Sequence, residues 1–262
     1  MDKVILTADY HTHTPYSHGK NTVEENVARA KELGLKQIGI SDHGYTHIAF
    51  GIRRKEIEDY KAECKNAQEK YGIDVLVGLE ANIRGVEGKS DLKEKDFEDF
   101  DIYLCGKHAF IWFDRPLYDT FLFGAKNYVW PRVKIKPSES MLARNTKAYT
   151  NTIKNNPIDA ITHLNHYCPS NVVEVAKCAA DYGTYIELNG KKTHLTDEEL
   201  MEIVAKTSAR FIINSDAHSK DRVGEVKLVE AQLARLDFPL ERIDNIDGRL
   251  PNFRFAEFKR HL

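Results

Sequence analysis

Asp9-Tyr10-His11-Thr12-His13-Thr14-Pro15-Tyr16-Ser17-His18-Gly19 is the stretch on which the reading of this chain turns. It follows Val4-Ile5-Leu6, an apolar run short enough to be a buried strand that opens the fold. In an extended chain alternate side chains share a face, so Asp9, His11 and His13 are expected to point the same way. Two imidazoles on one face, a carboxylate behind them and a third histidine, His18, past a short turn suit a transition metal. The plain alternative is a polar strand end with solvated histidines, and a lone His-x-His does not exclude it. The rest of the chain decides between them.

Working outward, each later apolar run ends in residues of much the same kind. The runs 36–41, 73–79, 102–106 and 158–162 deliver Asp42-His43-Gly44, Glu80-Ala81-Asn82, Lys107-His108 and His163. The run 184–188 ends at Asn189-Gly190, and 210–215 delivers Asp216-Ala217-His218. Between them lie helical periodicities at 23–33, 55–71, 138–155, 172–182, 196–207 and 224–236. Thr22 with Glu25 reads as an N-terminal cap, Thr196 as another, and Gly34 and Gly72 as C-terminal stops. A polar tail follows from 245 to 262. Seven strands with helical segments among them predict a parallel sheet, and strands of this length suit an α/β barrel with its helices outside. In such barrels the active site forms at the C-terminal ends of the strands, which is where these residues gather.

Composition fits that architecture. The chain has 262 residues, 42% hydrophobic and 30% charged, with net charge −2, and reads as a single domain over 1–262. The near-neutral balance argues against long nucleic acid as a partner. No apolar segment is long enough to span a bilayer, and Met1-Asp2-Lys3 leads into a strand rather than a signal peptide, so no membrane role and a cytoplasmic location are expected. Cys64, Cys105, Cys168 and Cys178 form no Cys-x-x-Cys pair and read as reduced, packed thiols.

The gathered candidates are His11, His13, His18, His43, Glu80, His108, His163, Asp216 and His218. A catalytic zinc needs three protein ligands and a water, so a set this large suggests two or three divalent ions, with Glu80 suited to bridging a pair. Imidazole and carboxylate without thiolate fit Zn²⁺, Mn²⁺ or Fe²⁺ alike. The order and spacing of these motifs resemble the PHP (polymerase and histidinol phosphatase) family along nearly the whole chain, and most closely its small stand-alone phosphoesterases. That resemblance implies a distorted seven-stranded (β/α)7 TIM-like barrel with a trinuclear metal centre. It implies His11, His13, Glu80 and Asp216 on one ion, Glu80, His108 and His163 on a second, and His18, His43 and His218 on a third. Many relatives have His-Pro-Gly where this chain reads His163-Leu164-Asn165-His166, which makes His166 a rival ligand or a substrate contact.

The expected reaction is hydrolysis of a small phosphorylated metabolite by metal-activated hydroxide, with Glu80, Asp216 and His218 at the catalytic centre. L-histidinol phosphate is the substrate the resemblance suggests first. Alternatives are a nucleotide or phosphodiester substrate, an amidohydrolase-like metallohydrolase, or a domain kept for structure. Phosphate also calls for cations: Arg53, Arg54, Lys107, Lys191, Lys192, Lys220 and Arg222 follow strand ends, with Lys191 and Arg222 the selected substrate contacts. Asn189 is a substrate contact or an ordinary turn residue, His47 and His194 are expected to line the rim, and His261 lies in the tail. Between His108 and Ser138 runs an insertion, 110–137, rich in aromatics: Phe110, Trp112, Phe113, Tyr118, Phe121, Phe123, Tyr128 and Trp130, with Arg115, Lys126, Arg132 and Lys134. It reads as a lid over the metal site or as a packing arm that covers the barrel or joins a second subunit in a homo-oligomer.

Overall fold

Strands β1 (Ala8–Thr12), β2 (Gln37–His43), β3 (Asp74–Asn82), β4 (Ile102–Gly106), β5 (Ala160–Ile161), β6 (Tyr185–Asn189) and β7 (Phe211–Asn214) pair in chain order, every pair parallel. The computed structural model describes residues 4–133 and 136–262, with the backbone alone for 130–133. Met1, Asp2, Lys3 and Lys134, and the side chains of Trp130 and Arg132, lie outside the described residues. The sheet curls until β1 meets the end of β7. Thr12 bridges Ala217, the His13 N–H donates to the Ala217 carbonyl at 2.8 Å, and the Ala217 N–H donates to His11 at 3.1 Å. Lower down, side chains span the seam: Asn245 donates to the carbonyls of Ala8 (2.9 Å) and Ile213 (2.6 Å), and Asn214 accepts from the Tyr10 N–H at 2.9 Å. Edge groups that would lack partners are thereby paired, and the result is a nearly closed barrel.

Helices α1 (Val23–Glu32), α2 (Ile57–Tyr71), α5 (Glu139–Asn155), α6 (Val172–Tyr182) and α7 (Asp197–Lys206) form crossovers, a 3₁₀ turn (Glu94–Asp99) links β3 to β4, and α8 (Lys227–Arg235) follows β7. Their apolar faces and the outward strand residues make one core, in which Val23, Val27 and Tyr60 meet Ile38, Ile40 and Leu79. Thr22 and Glu25 form the expected capping box, as do Thr196 and Glu199, and Gly72 (φ 59°) closes α2. The barrel interior is filled at its N-terminal end by every second strand residue: Ala8, Tyr10, Ile102, Leu104, Ala160, Tyr185 and Ile212.

Four expectations need correction. The opening strand is 8–12, not the run at 4–6: Ile5 is 66% exposed, and Leu6 makes an isolated antiparallel bridge to Ile246. Asp9 does not share a face with His11 and His13. The register with β2 shifts between Asp9 and Thr12, so Tyr10 faces the interior, the bulge reverses the alternation, and His11 and His13 follow it inward. Asp9 stays on the helix side beside Ile38, where it accepts from the Ser215 N–H (3.0 Å), the Gly224 N–H (2.9 Å) and the Ser215 hydroxyl. The helix after β7 begins at Lys227, because Gly224 is left-handed (φ 70°) and its N–H is taken by Asp9. The tail is not merely polar: Phe253 seals the barrel against Tyr10 (rings 4.8 Å apart), and α9 (Arg254–Lys259) buries Phe255 against Phe97 and Tyr103.

The aromatic insertion has structure of its own. It forms α3 (Pro116–Asp119), a π-helical turn (Thr120–Ala125) and α4 (Lys126–Val133), anchored by the fully buried Phe123.

Candidate metal centre

Ladder alternation carries the inward row of each strand up to its C-terminal end. On β3 and β4, Glu80 and Leu104 are paired and share the interior face, and two steps of two residues beyond Leu104 stands His108. Gly106 lies between them, where a Cβ would come within 2.2 Å of the Thr162 hydroxyl and 2.5 Å of the His163 ring. His163 (φ 76°) and Asp216 (φ 51°) leave β5 and β7 in the left-handed region, an uncommon conformation for such residues that re-aims both side chains at the barrel axis.

Glu80 is the hub. Its Oε1 lies 2.7 Å from His163 Nε2 and 3.1 Å from His108 Nε2, and accepts from the Thr162 hydroxyl at 2.8 Å. Its Oε2 lies 2.8 Å from His43 Nδ1, 3.3 Å from His11 Nε2 and 3.7 Å from His13 Nε2. Asp216 Oδ1 is 3.5 Å from His13 Nε2, 3.9 Å from His11 Nε2 and 3.3 Å from His218 Nδ1. His18 completes the ring of imidazoles, 4.8 Å from His43 and 4.2 Å from His218 between ring centres. All nine candidate ligands are therefore brought to one place.

Whether a metal fits can be tested on the polar atoms. His11 Nε2, His13 Nε2, His43 Nδ1 and Glu80 Oε2 are buried, close to one another, and none is aligned for a hydrogen bond. Buried polar groups left so are costly unless a ligand takes them up. Three sets converge to within 4.8 Å: His11, His13 and Asp216; His13, His43 and His218; His43, Glu80 and His108. Protonation states suit a cation as well. Burial opposes ionisation of Glu80 and Asp216, but the surrounding imidazoles outweigh it and hold both carboxyls well below their usual range. Burial, with neighbouring histidines, pushes His13 and His108 well down, His18 to about 3 and His218 to about 4. His11 and His163 are the exceptions: burial lowers both, yet Glu80, Glu187 and Asp216 together raise His11, and Glu80 with Glu187 raises His163. Ionised carboxylates and mostly neutral imidazoles are the ligating forms. The residues fit a metal centre.

The chain beneath the ligands holds them in orientation. His11 Nδ1 meets Glu187 Oε1 at 2.8 Å, and His108 Nδ1 meets Asn82 Oδ1 at 2.8 Å. Glu187 escaped the sequence reading, since it is mid-strand on β6 with no motif around it; only its parity with Asn189 on that strand hinted at an inward position. Asp42, on the helix side of β2 with Ile38 and Ile40, accepts from the Thr14 N–H (2.8 Å) and hydroxyl (2.5 Å) and from the Ser17 hydroxyl, tying down the loop that carries His18.

Above the ligands is a cavity of about 370 Å³ lined by His166, His194, Lys191 and Lys192 as well as all the candidate ligands except His11 and His13. Lys191 Nζ reaches Asp216 Oδ1 at 3.2 Å and His218 Nδ1 at 3.1 Å. Arg222 does not line it, standing on the 3₁₀ turn 220–222. Other cations are engaged elsewhere: Arg54 with Asp96, and Lys220 with Glu25 at 3.0 Å. Arg53 lines a different cavity. Asn189 is drawn into the scaffold, donating to Glu187 (2.9 Å) and Asp216 (3.3 Å). His47 and His194, expected at the rim, lie against the centre, with ring centres 5.1 Å from His43 and 5.9 Å from His163. Phe50, 45% exposed, stacks on His18 at 4.8 Å.

A nearly closed seven-stranded α/β barrel with histidines and carboxylates massed at its C-terminal rim defines the metal-site barrels as a class. The PHP domain model matches residues 9–229, and the chain belongs to that family. Among curated proteins it is similar to a probable phosphatase of Caldanaerobacter subterraneus, 31% identical over 93% of this chain and 88% of that one. A probable phosphatase of Proteus mirabilis is 27% identical over 94% and 92%. Among solved structures the fold is similar to histidinol phosphate phosphatase of Lactococcus lactis complexed with zinc, L-histidinol and phosphate, with TM-score 0.61 and 14% identity over 94% of this chain and 98% of that one.

Proposed function

We propose that this chain is a metal-dependent phosphatase that hydrolyses a small phosphate monoester at a centre of two or three divalent ions. The observation that carries this is the Glu80 carboxylate, which stands within 3.3 Å of four inward imidazoles, one from each of four different strand ends. His11, His13, Glu80 and Asp216 would hold one ion, Glu80, His108 and His163 a second, and His18, His43 and His218 a third. The convergent sets His11–His13–Asp216 and His43–Glu80–His108 support the first two in part. Ions bound there would lower the pKa of water and offset phosphoryl charge.

The chain's own residues do the rest. Glu187 and Asn82 hold His11 and His108 in one ring orientation. Lys191 places an ammonium over Asp216 and His218, where it would meet a phosphoryl oxygen. His166 and His194 line the wall of the cavity together with Lys192. An amidohydrolase reading is disfavoured, because a bridging lysine has no place here: Lys107 points away from this cavity and Glu80 occupies the hub.

The wall chemistry bears on the substrate. Among the described residues, the cavity lining includes two lysines and no carboxylate beyond Glu80 and Asp216. An ammonium-bearing alcohol such as L-histidinol would find no acidic partner there, which favours a neutral or anionic alcohol. The test is steady-state hydrolysis of p-nitrophenyl phosphate, histidinol phosphate and a panel of sugar and nucleoside monophosphates by metal-loaded protein, with Glu80→Ala as control. Monoester cleavage abolished in the control is the expected result. No cleavage of any ester by fully loaded protein would overturn the reading.

A further inference from the structure

A second cavity, of about 430 Å³, opens behind His108, between the segment 107–113 and the helices of the aromatic insertion. Alternation beyond β4 separates it from the metal centre. His108 points into the barrel, whereas its neighbours Lys107 and Ala109 line this second space, and the two cavities share no lining residue. Its walls are apolar and largely aromatic: Ile48, Phe110, Ile111, Trp112, Phe113 and Tyr128. Phe110 has φ 57°, an outlying conformation for a bulky residue, maintained by its carbonyl accepting from the Ile48 N–H at 2.9 Å. Phe110 and Trp112 stand exposed at the mouth.

Within this apolar lining sits one charged side chain. Lys107 is 3% exposed, and its Nζ lies 5.4 Å from the Phe113 ring and 5.2 Å from the Phe123 ring. An ammonium carries three donors. One goes to the His108 carbonyl at 2.6 Å, and no carboxylate among the described residues pairs with the charge. A cation held so far from water without a counter-charge is costly, and the aromatic faces offset only part of that cost.

We propose that this cavity is a binding site for a small organic anion with a flat apolar body, such as an aryl carboxylate. The ring would lie among Phe110, Trp112 and Tyr128, with the anionic group on the Lys107 ammonium.

The test is isothermal titration of the metal-loaded full chain with benzoate, benzyl alcohol and benzylamine. Benzoate is expected to bind at least tenfold more tightly than benzyl alcohol, with benzylamine silent. Lys107→Met should abolish the preference for the acid. Ala125→Phe, at an exposed position on the rim and clear of Lys107, should block all binding even if the lysine variant fails to fold. Benzoate binding no tighter than the alcohol overturns the proposal. So does benzoate binding that survives Ala125→Phe and disappears in Glu80→Ala, since that places the acid at the metal centre.

Discussion

Glu187 Oε1 lies 2.8 Å from His11 Nδ1 in a fully buried pair, although 176 positions separate the two residues in the chain. The Asn214 amide also donates to that oxygen at 2.9 Å, and the Asn189 amide donates to Oε2 at 2.9 Å. Removing a carboxylate that orients a ligating histidine typically costs 10–100-fold in metal affinity. Glu187→Ala should therefore lower metal affinity by about that factor, and Glu187→Gln, which keeps an acceptor, by less. Competition with a chromogenic chelator measures it. Unchanged affinity in the alanine variant would show that His11 needs no such partner.

Chelation should destabilise the chain. A ligand present at a hundredfold its Kd stabilises by about 2.7 kcal/mol. For a domain of this size that corresponds to a Tm shift of roughly 5–10 °C. Scanning calorimetry before and after treatment with a chelator, then after restoring zinc or manganese, should show the loss and its recovery. A Tm indifferent to both would contradict a metal held by these ligands.

Lys191 and Arg222 were matched as phosphate contacts by sequence and are separated by structure. Lys191 overhangs Asp216, while Arg222 stands outside the cavity lining. Lys191→Met should raise KM for a phosphate monoester about tenfold with metal content retained, while Arg222→Met leaves KM within about twofold; these factors correspond to roughly 1.4 and 0.4 kcal/mol. Equal effects of the two would return Arg222 to the site.

Asp159 provides a pH signature at the opposite end of the barrel. Burial drives its carboxyl up to about 7, against the Phe255 and Tyr103 N–H groups that donate to it at 2.8 Å each. A carboxyl whose folded pKa is raised binds more protons in the folded state between its unfolded and folded values. Its contribution to stability is complete below about 4 and is lost as pH rises towards 7. The stability advantage of the native chain over Asp159→Asn should therefore shrink between pH 4 and pH 8, as read from urea midpoints. A difference constant across that range would exclude the shift.

Phe255 tests the role of the C-terminal segment. It is fully buried, with ring centres 5.1 Å from Phe97 and 5.5 Å from Tyr103. Phe255→Ala should cost about 3–5 kcal/mol in urea unfolding, as for other large-to-small core changes. A loss under 1 kcal/mol would mean that the tail is loosely held.

By itself the sequence determined the strand–helix alternation, the caps at Thr22 and Thr196, and the nine histidines and carboxylates of the candidate centre. Apolar periodicity, capping residues and strand-end positions are local signals, and a parallel barrel sends every strand end to the same rim. Only the tertiary structure decided which side chains face that rim. The bulge between Asp9 and Thr12 separates Asp9 from His11 and His13, and left-handed backbone at His163 and Asp216 re-aims two further candidates. It likewise decided that Glu187 stands behind His11, that His47 and His194 abut the centre, and that Lys107 lines a second, aromatic cavity. The physical reason is common to all of these. A strand's parity reverses with one extra residue, and a partner 176 positions away becomes a neighbour only when the barrel closes.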